Sequence, residues 1–182
     1  MSIGLGSDSG LLLLDGPGIA AALQQMALQI HLHEPADSLA IVGVVARGDV
    51  LAGRLCGHME RLSGRRVDHG GIDITLYRDD LSRPSGAGAV VRPSALEFGL
   101  DDRTVVLVDD VLQTGRTVRA AMDALLALGR PRAIRLAVLV DRGGRELPIQ
   151  PDYVGLSIDS PSRRVVLELS DRPPEGERVL LG

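Results

Sequence analysis

Two adjacent carboxylates stand shortly before a turn that could bind a phosphate group. Asp109 and Asp110 end an apolar run, and Thr114-Gly115-Arg116-Thr117 follows after three intervening residues. Glycine lets a backbone approach a ligand closely, and successive amides at the start of a helix form an anion site. Carboxylates instead accept hydrogen bonds from hydroxyl groups. Together the two features predict a ligand with both hydroxyls and a phosphate, as in a ribose 5-phosphate.

The turn also has a simpler interpretation, in which Thr114 or Thr117 only caps the following helix. The neighbouring aspartates favour a functional turn, because a carboxylate at the end of a buried strand bears a large desolvation cost unless it is paired. A divalent cation on the hydroxyls of the ligand would offset part of the negative charge.

The amino-acid composition excludes several kinds of catalytic and binding site. All 20 basic residues of the 182-residue chain are arginine, which excludes a Walker A lysine, a Schiff-base lysine and a lysine base. The net charge of −4 does not indicate nucleic-acid or membrane binding. No apolar run approaches the roughly 18 residues that span a membrane, so a cytoplasmic location is the default expectation. The single cysteine, Cys56, lies in an apolar helical pattern and is expected to be buried.

Apolar patterns predict one α/β domain over residues 1–182, with mobile tails at 1–10 and 171–182. Strands are predicted at 38–46, 72–77, 104–108, 134–140 and 165–169, and helices at 17–33, 51–62 and 118–128. Ligands of such folds bind at the carboxyl ends of parallel strands. Three loops are expected there, at 46–48, 109–117 and 141–146.

The segment 78–93 is polar, rich in Gly, Pro and Ser, and long for a connection in a compact domain. Loops of this kind often cover a binding site. Its first charged residues, Arg78, Asp79 and Asp80, could equally be a solvated charge run.

Three stretches together resemble one known family. VVLVDDVLQTGRT (105–117) is similar to the phosphoribosyl pyrophosphate (PRPP) signature of type I phosphoribosyltransferases. GIDITLYRDDLSRP (71–84) and LAVLVDRGGRELPI (136–149) are similar to the PyrR family of pyrimidine operon attenuators and uracil phosphoribosyltransferases. The resemblance runs from about residue 14 to 153. It implies a type I phosphoribosyltransferase fold, with a mainly parallel central sheet flanked by helices, a flexible loop over the active site, and a homo-oligomer.

The resemblance also implies a reaction, uracil plus PRPP giving UMP plus pyrophosphate, with Mg²⁺ held mainly by substrate oxygens and no certain protein ligand. The catalytic residues it implies are Asp109, Asp110 and Arg47. The residues that would bind PRPP are Asp109, Asp110, Val111, Leu112, Gln113, Thr114, Gly115, Arg116, Thr117, Arg47 and Gly48. The flexible loop would begin with Tyr77, Arg78, Asp79 and Asp80. Uracil would be bound by Val140, Asp141, Arg142 and Gly143.

The family's second role, binding messenger RNA, needs basic residues that face phosphates. Residues 24–29 read QQMALQ where the family usually has Thr-Arg-Ile-Ala-His-Glu, and 143–147 read GGREL in place of Gly-His-Arg-Glu-Leu. Residues 150–152 and 155–157 also lack a basic residue that the family usually has. Arg145 is therefore the main basic residue that remains in these stretches. RNA binding is therefore expected to be weakened or absent. Arg145 and Glu146 could also pair with each other on the surface.

Two alternatives stay open: an RNA-binding attenuator that responds to UMP or PRPP, and a PRPP binder with little activity. A rearranged RNA surface could use Arg61, Arg65 and Arg66.

Gln113 replaces a tyrosine that the family usually has before Thr-Gly-Arg-Thr, so the orientation or affinity of PRPP could differ.

Overall fold

The computed structural model describes residues 10–75 and 96–182, in which strands and helices alternate. The elements, in chain order, are β1 (Leu11–Asp15), α1 (Gly16–His33), a short 3₁₀ helix (Ala36–Ser38), β2 (Leu39–Val44), α2 (Arg47–Ser63), β3 (Asp68–Ile72), β4 (Thr104–Leu112), α3 (Arg116–Leu128), β5 (Ala133–Asp141), β6 (Tyr153–Ser157), β7 (Val165–Glu168) and β8 (Arg178–Leu181). None of the helices in these two ranges is long and apolar enough to cross a membrane.

A five-stranded sheet in the order β3-β2-β4-β5-β6 forms the centre, and every neighbouring pair in it is parallel. All six residues of β2 are buried, which is typical of a strand covered on both faces. Alternate residues of β4 and β5 face two separate hydrophobic clusters, one with α1 and α2 and the other with α3. The predicted α/β class with a parallel sheet between helices is confirmed.

The register of β4 explains why its carboxylates lie at an edge. Gly43 near the end of β2 pairs with Val108, so β4 continues past its neighbour through Asp109 to Leu112. On its other side β4 stays paired with β5 up to Asp141. The two aspartates therefore lie where the sheet opens toward the start of α2.

The end of the chain differs from the expectation of a mobile tail at 171–182. β8 pairs with both β1 and β7 in a small antiparallel sheet, and Val179 is fully buried in the larger hydrophobic cluster. Glu177 is also buried, and its carboxylate accepts hydrogen bonds from Arg54 Nη1 at 3.0 Å and Nη2 at 2.5 Å. Apolar burial and this ion pair fix the segment. At the other end of the chain, residues 1–9 lie outside the described part.

The strand predicted at 72–77 is displaced toward the N-terminus. β3 ends at Ile72, where the Asp73 carboxylate accepts from the residue two positions later, from Thr75 N at 2.9 Å and from Thr75 Oγ1 at 2.6 Å. Such local side-chain bonds compete with strand pairing. β1 and β6 were not predicted, and residues 76 and 77 are not described.

Cys56 is buried as expected, and its Sγ donates to the carbonyl oxygen of Val67 at 3.1 Å. Burial, followed by the charge of Glu60, raises the pKa of the Cys56 thiol to about 11. Because the thiolate is the nucleophile, we expect Ellman's reagent at pH 8 to modify the denatured chain rapidly and the native chain hardly at all. Equal labelling rates in the two states would contradict the burial of this side chain.

Candidate active site

Two adjoining clefts open at the carboxyl ends of the central strands. The larger, of about 570 Å³, is bordered by residues 44–48, 73–75, 109–111 and Thr117. The smaller, of about 260 Å³, is lined by Asp109, residues 111–115, Thr117, Val118, Arg142, Arg164 and Val165. Asp109, Val111 and Thr117 line both clefts. A single ligand could therefore extend from one cleft into the other past these three residues.

Asp109 and Asp110 are held in place by the backbone that follows them. Asp109 Oδ1 accepts from Asp110 N at 2.9 Å, and Asp110 Oδ1 accepts from Val111 N at 2.8 Å. Asp109 is only 5% exposed. The second oxygen of Asp110, Oδ2, lies 3.7 Å from Arg47 Nη1. More than half of the Arg47 side chain is exposed, so this ion pair is weak and open to competition by a ligand.

The Arg47 loop, residues 46–48, packs closely against the strand ends because glycines stand at the points of contact. A Cβ atom on Gly43 would lie 2.3 Å from the carbonyl oxygen of Gly48. A Cβ atom on Gly48 would lie 2.5 Å from the carbonyl oxygen of Val108. α2 begins at Arg47, and no side chain caps its first turn. The partial positive charge of this helix start therefore faces the larger cleft beside Asp110.

The phosphate turn, residues 113–117, leads from β4 into α3. Gly115 has a φ of 90°, a left-handed conformation that favours glycine, and it occupies the N-cap position without a side-chain cap. Gly115, rather than Thr114 or Thr117, therefore holds the N-cap position, and Thr114 Oγ1 accepts from Arg116 N at 3.3 Å. The amides at the start of α3 border the smaller cleft, where they can bind an anion.

The connection after β5 forms hydrogen bonds to the phosphate turn. Glu146 N and Leu147 N both donate to the carbonyl oxygen of Thr114, at 3.0 and 3.1 Å. Arg116 Nε donates to Glu146 Oε2 at 2.7 Å. Arg145 pairs with Asp141 instead. The suggested surface pair between Arg145 and Glu146 is therefore wrong.

The four residues expected to bind uracil occupy different environments. Val140 is buried in the hydrophobic core, and Gly143 adopts a left-handed conformation with a φ of 72°. The Asp141 carboxylate accepts from Arg145 Nη2 at 2.6 Å and from Gly143 N at 3.1 Å. Of the four, Arg142 alone lines the smaller cleft.

Burial would raise the pKa of Asp141, but the hydrogen bond and charge of Arg145 and the Gly143 amide outweigh it. They hold the pKa of this carboxyl below its ordinary value. The side chain is therefore ionised near neutral pH and engaged within the protein.

Some lining residues had not been singled out from the sequence. Arg164 and Val165 enter the smaller cleft from the start of β7, and Asp73 and Thr75 border the larger one. No sequence motif marks Arg164. Its position beside the smaller cleft depends on how the chain runs through β6, a strand that was not predicted. The residues predicted to begin a flexible loop, Tyr77, Arg78, Asp79 and Asp80, lie outside the described residues.

Within 10–75 and 96–182, no group of three or more His, Cys, Asp or Glu side chains could hold a metal ion. The carboxylates of Asp109 and Asp110 nevertheless border the larger cleft together with Asp73. Oxygen atoms of this kind suit Mg²⁺ as one or two ligands beside those of a phosphate substrate.

Comparisons with known proteins identify the family of this chain. The model of the phosphoribosyl transferase domain family matches residues 11–171. The Bifunctional protein PyrR of Akkermansia muciniphila is 49% identical and covers 93% of this chain and 94% of its own. That of Clostridioides difficile is 46% identical, with 91% and 93% coverage.

Solved structures share the fold at low sequence identity. The hypoxanthine phosphoribosyltransferase of Trypanosoma cruzi superposes with a TM-score of 0.69 at 18% identity, covering 95% of this chain and 96% of its own. A hypoxanthine-guanine phosphoribosyltransferase of Bacillus anthracis gives 0.67 at 19% identity, with 87% coverage of each chain. These likenesses establish the phosphoribosyltransferase fold, and the relatives narrow the assignment. The chain belongs to the PyrR family of proteins with a phosphoribosyltransferase domain.

Proposed function

We propose that this chain is a uracil phosphoribosyltransferase, which transfers the ribose 5-phosphate of PRPP to uracil and releases pyrophosphate. The observation that carries the proposal is the junction of the two clefts at Asp109, Val111 and Thr117. It provides hydroxyl acceptors, an anion-binding turn and an arginine within one continuous space.

In the proposed complex, the phosphate turn binds the 5-phosphate through the amides of Thr114 to Thr117. Asp109 and Asp110 accept hydrogen bonds from the ribose hydroxyls. The pyrophosphate extends into the larger cleft toward Arg47 and the start of α2. This arrangement separates the carboxylates from the 5-phosphate by the width of the ribose, while Arg47 offsets the charge of the pyrophosphate on the side of Asp110.

The chemistry needs charge stabilisation at two places. Bond cleavage at the ribose C1 leaves positive charge on the ring and negative charge on the departing pyrophosphate, as in glycoside cleavage. The fixed carboxylates of Asp109 and Asp110 stabilise the ring charge. Arg47 and the positive end of α2 stabilise the leaving group. Mg²⁺ bound to PRPP oxygens would neutralise part of the substrate charge.

Uracil as the base rests on the PyrR relatives and on the stretches 71–84 and 136–149. We assign the side of the smaller cleft beside Arg142 to the base and the side beside the phosphate turn to the 5-phosphate. The test offers uracil, orotate, hypoxanthine and guanine separately with PRPP and Mg²⁺, and detects nucleotides by mass spectrometry. We expect UMP from uracil only, and no product after EDTA treatment. Nucleotide formation from a purine but not from uracil would overturn the assignment.

We also propose that the RNA-binding role is weakened in this chain. Arg145 is the main basic residue left where the family contacts RNA, and its side chain is only 17% exposed. Its guanidinium donates to oxygens of Ile149, Gln113 and Asp141. A group engaged in this way has little capacity left for a phosphate. The relatives' name, Bifunctional protein PyrR, keeps the RNA-binding attenuator as the second candidate function.

A gel-shift assay separates the two candidates, using the leader RNA of the host's pyrimidine genes with and without UMP. We expect no UMP-dependent shift for the wild type at physiological salt. Gln25 and Leu28 are exposed on α1, so Gln25→Arg with Leu28→His restores two usual family residues on an accessible face. Added phosphate contacts strengthen binding, so this variant should bind more tightly. Tight, UMP-dependent binding by the wild type would contradict the proposal.

A cytoplasmic homo-oligomer stays a proposal that rests on the family. Leucines 54–71% exposed on α1 and β1 are candidates for a subunit interface; they are Leu11, Leu12 and Leu32. Light scattering on the purified chain measures the oligomeric state.

A further inference from the structure

We infer that Arg145 is a positioning residue that couples the phosphate turn to the connection between β5 and β6. This connection, residues 142–152, is named the base segment because Arg142 within it lines the proposed base site. The inference rests on the proposed function, since it concerns how one nucleotide engages both parts of the site. Arg145 is not among the described residues that line either cleft, so it acts through other groups.

One guanidinium joins three parts of the chain. Arg145 Nη1 donates to the carbonyl oxygen of Gln113 in the phosphate turn at 3.1 Å. Nη2 donates to Asp141 Oδ2 at the end of β5 at 2.6 Å, and Nε donates to the carbonyl oxygen of Ile149 at 2.9 Å. The planar fork of arginine suits this task, whereas the point charge of lysine cannot reproduce all three bonds.

The link is shielded from solvent. The Arg145 and Asp141 side chains are 17% and 18% exposed, so water screens their attraction less than at an open surface. A second ion pair between the same parts, Arg116 with Glu146, has side chains 58% and 52% exposed. Arg145 is therefore the side-chain connection expected to hold the two parts in a fixed relation.

Two glycines bring Arg145 back to Asp141. Gly143 and Gly144 have φ values of 72° and 77°, so the chain reverses immediately after β5. The Gly143 amide donates to Asp141 Oδ1, on the same carboxylate that Arg145 binds. A Cβ atom on Gly144 would lie 2.8 Å from Pro161 Cβ, so this reversal also fits closely under the loop before β7. Gly143 and Gly144 thus build the turn that brings Arg145 within bonding distance of Asp141.

The coupling should affect the affinity of a ligand that contacts both parts more than the affinity of a ligand that contacts one. Ribose 5-phosphate needs only the phosphate turn and the aspartates, whereas UMP also reaches the base segment. Loss of Arg145 removes the shielded side-chain link and leaves the two parts joined mainly by the bonds from Glu146 N and Leu147 N to the carbonyl oxygen of Thr114. A ligand that spans both parts must then order them further on binding. We therefore expect Arg145→Gln to weaken UMP by a larger factor than ribose 5-phosphate.

The experiment is isothermal titration of the full chain with UMP and with ribose 5-phosphate. For Arg145→Gln we expect about tenfold or greater weakening of UMP, with ribose 5-phosphate changed less than about threefold. Arg145→Lys should fall between Gln and the wild type. The matched control is Arg54→Gln, because Arg54 forms a similarly shielded ion pair with Glu177, with side chains 20% and 1% exposed. The control should leave the ratio of the two affinities unchanged.

Equal weakening of both ligands in Arg145→Gln, as from general destabilisation, would overturn the inference, and so would no weakening of either. If Arg145→Gln does not fold, Asp141→Asn tests the same link, because it keeps the shape of the side chain and removes its charge. It should show the same selective loss of UMP affinity, and equal losses would overturn the inference here too. A wild type that binds IMP in preference to UMP would contradict only the uracil proposal, and the coupling is then measured with IMP.

Discussion

Replacing both Asp109 and Asp110 by asparagine is expected to lower kcat/KM for PRPP by about 100-fold or more, because the charges that stabilise the ring in the transition state are lost. Asparagine keeps the Oδ1 atom that accepts from the following amide, at 2.9 Å for Asp109 and 2.8 Å for Asp110. The end of β4 should therefore keep its shape. Steady-state kinetics with PRPP varied at saturating uracil measure the effect.

The control for this variant is Asp123→Asn on α3. Asp123 forms an exposed ion pair with Arg119, four residues earlier in the chain, and borders neither cleft among the described residues. It should leave kcat/KM unchanged. Thermal unfolding of both variants checks that neither loses its fold. Unchanged turnover in the double variant would show that the aspartates do not form the ribose site.

Gly48→Ala is expected to raise the KM for PRPP by about tenfold or more and to destabilise the fold by about 1–3 kcal/mol. The added Cβ would lie 2.5 Å from the Val108 carbonyl oxygen and 3.3 Å from Asp109 Cα. Both neighbours are backbone atoms of β4, so the start of α2 must move away from the strand. That movement carries Arg47 away from Asp110 and widens the cleft proposed for pyrophosphate.

Gly57→Ala in the same helix is the matched control, because nothing lies within 4 Å of a Cβ atom at that position. Alanine favours a helix over glycine, so this variant should be more stable by about 0.5–1 kcal/mol, with normal kinetics. Chemical denaturation and PRPP titrations on both variants give the comparison. A normal KM in Gly48→Ala would mean that α2 need not contact β4 closely for PRPP to bind.

The sequence predicted features that depend on contiguous residues. The apolar run of β4 and the phosphate turn are adjacent in the chain, so their composition reveals both the strand and the anion site. A mainly parallel sheet followed from the alternation of strands and helices, but its fifth strand, β6, was not predicted. The strand predicted at 165–169 is β7, which belongs to the small antiparallel sheet instead. In contrast, β8 is only four residues long and follows a polar segment, so its burial against β1 and β7 leaves no clear local pattern.

Tertiary contacts account for the other differences. The alternation in IDITLY predicted a strand, but the Asp73 side chain bonds to Thr75 and ends the pairing earlier. Arg164 lines the smaller cleft together with phosphate-turn residues that are distant from it in the chain. The hydrogen bond from Arg145 to the carbonyl oxygen of Gln113 likewise joins distant parts of the chain, and it follows a chain reversal at Gly143 and Gly144.

The central claim is that one ribose phosphate lies between the aspartates and the phosphate turn. A crystal structure of the chain with UMP and Mg²⁺ tests it most directly. We predict phosphate oxygens within about 3.2 Å of the amides of residues 114–117, and ribose hydroxyls at the same distance from the carboxylates of Asp109 and Asp110. A phosphate bound elsewhere, such as at the Arg47 loop, with the ribose hydroxyls away from both aspartates would contradict the account.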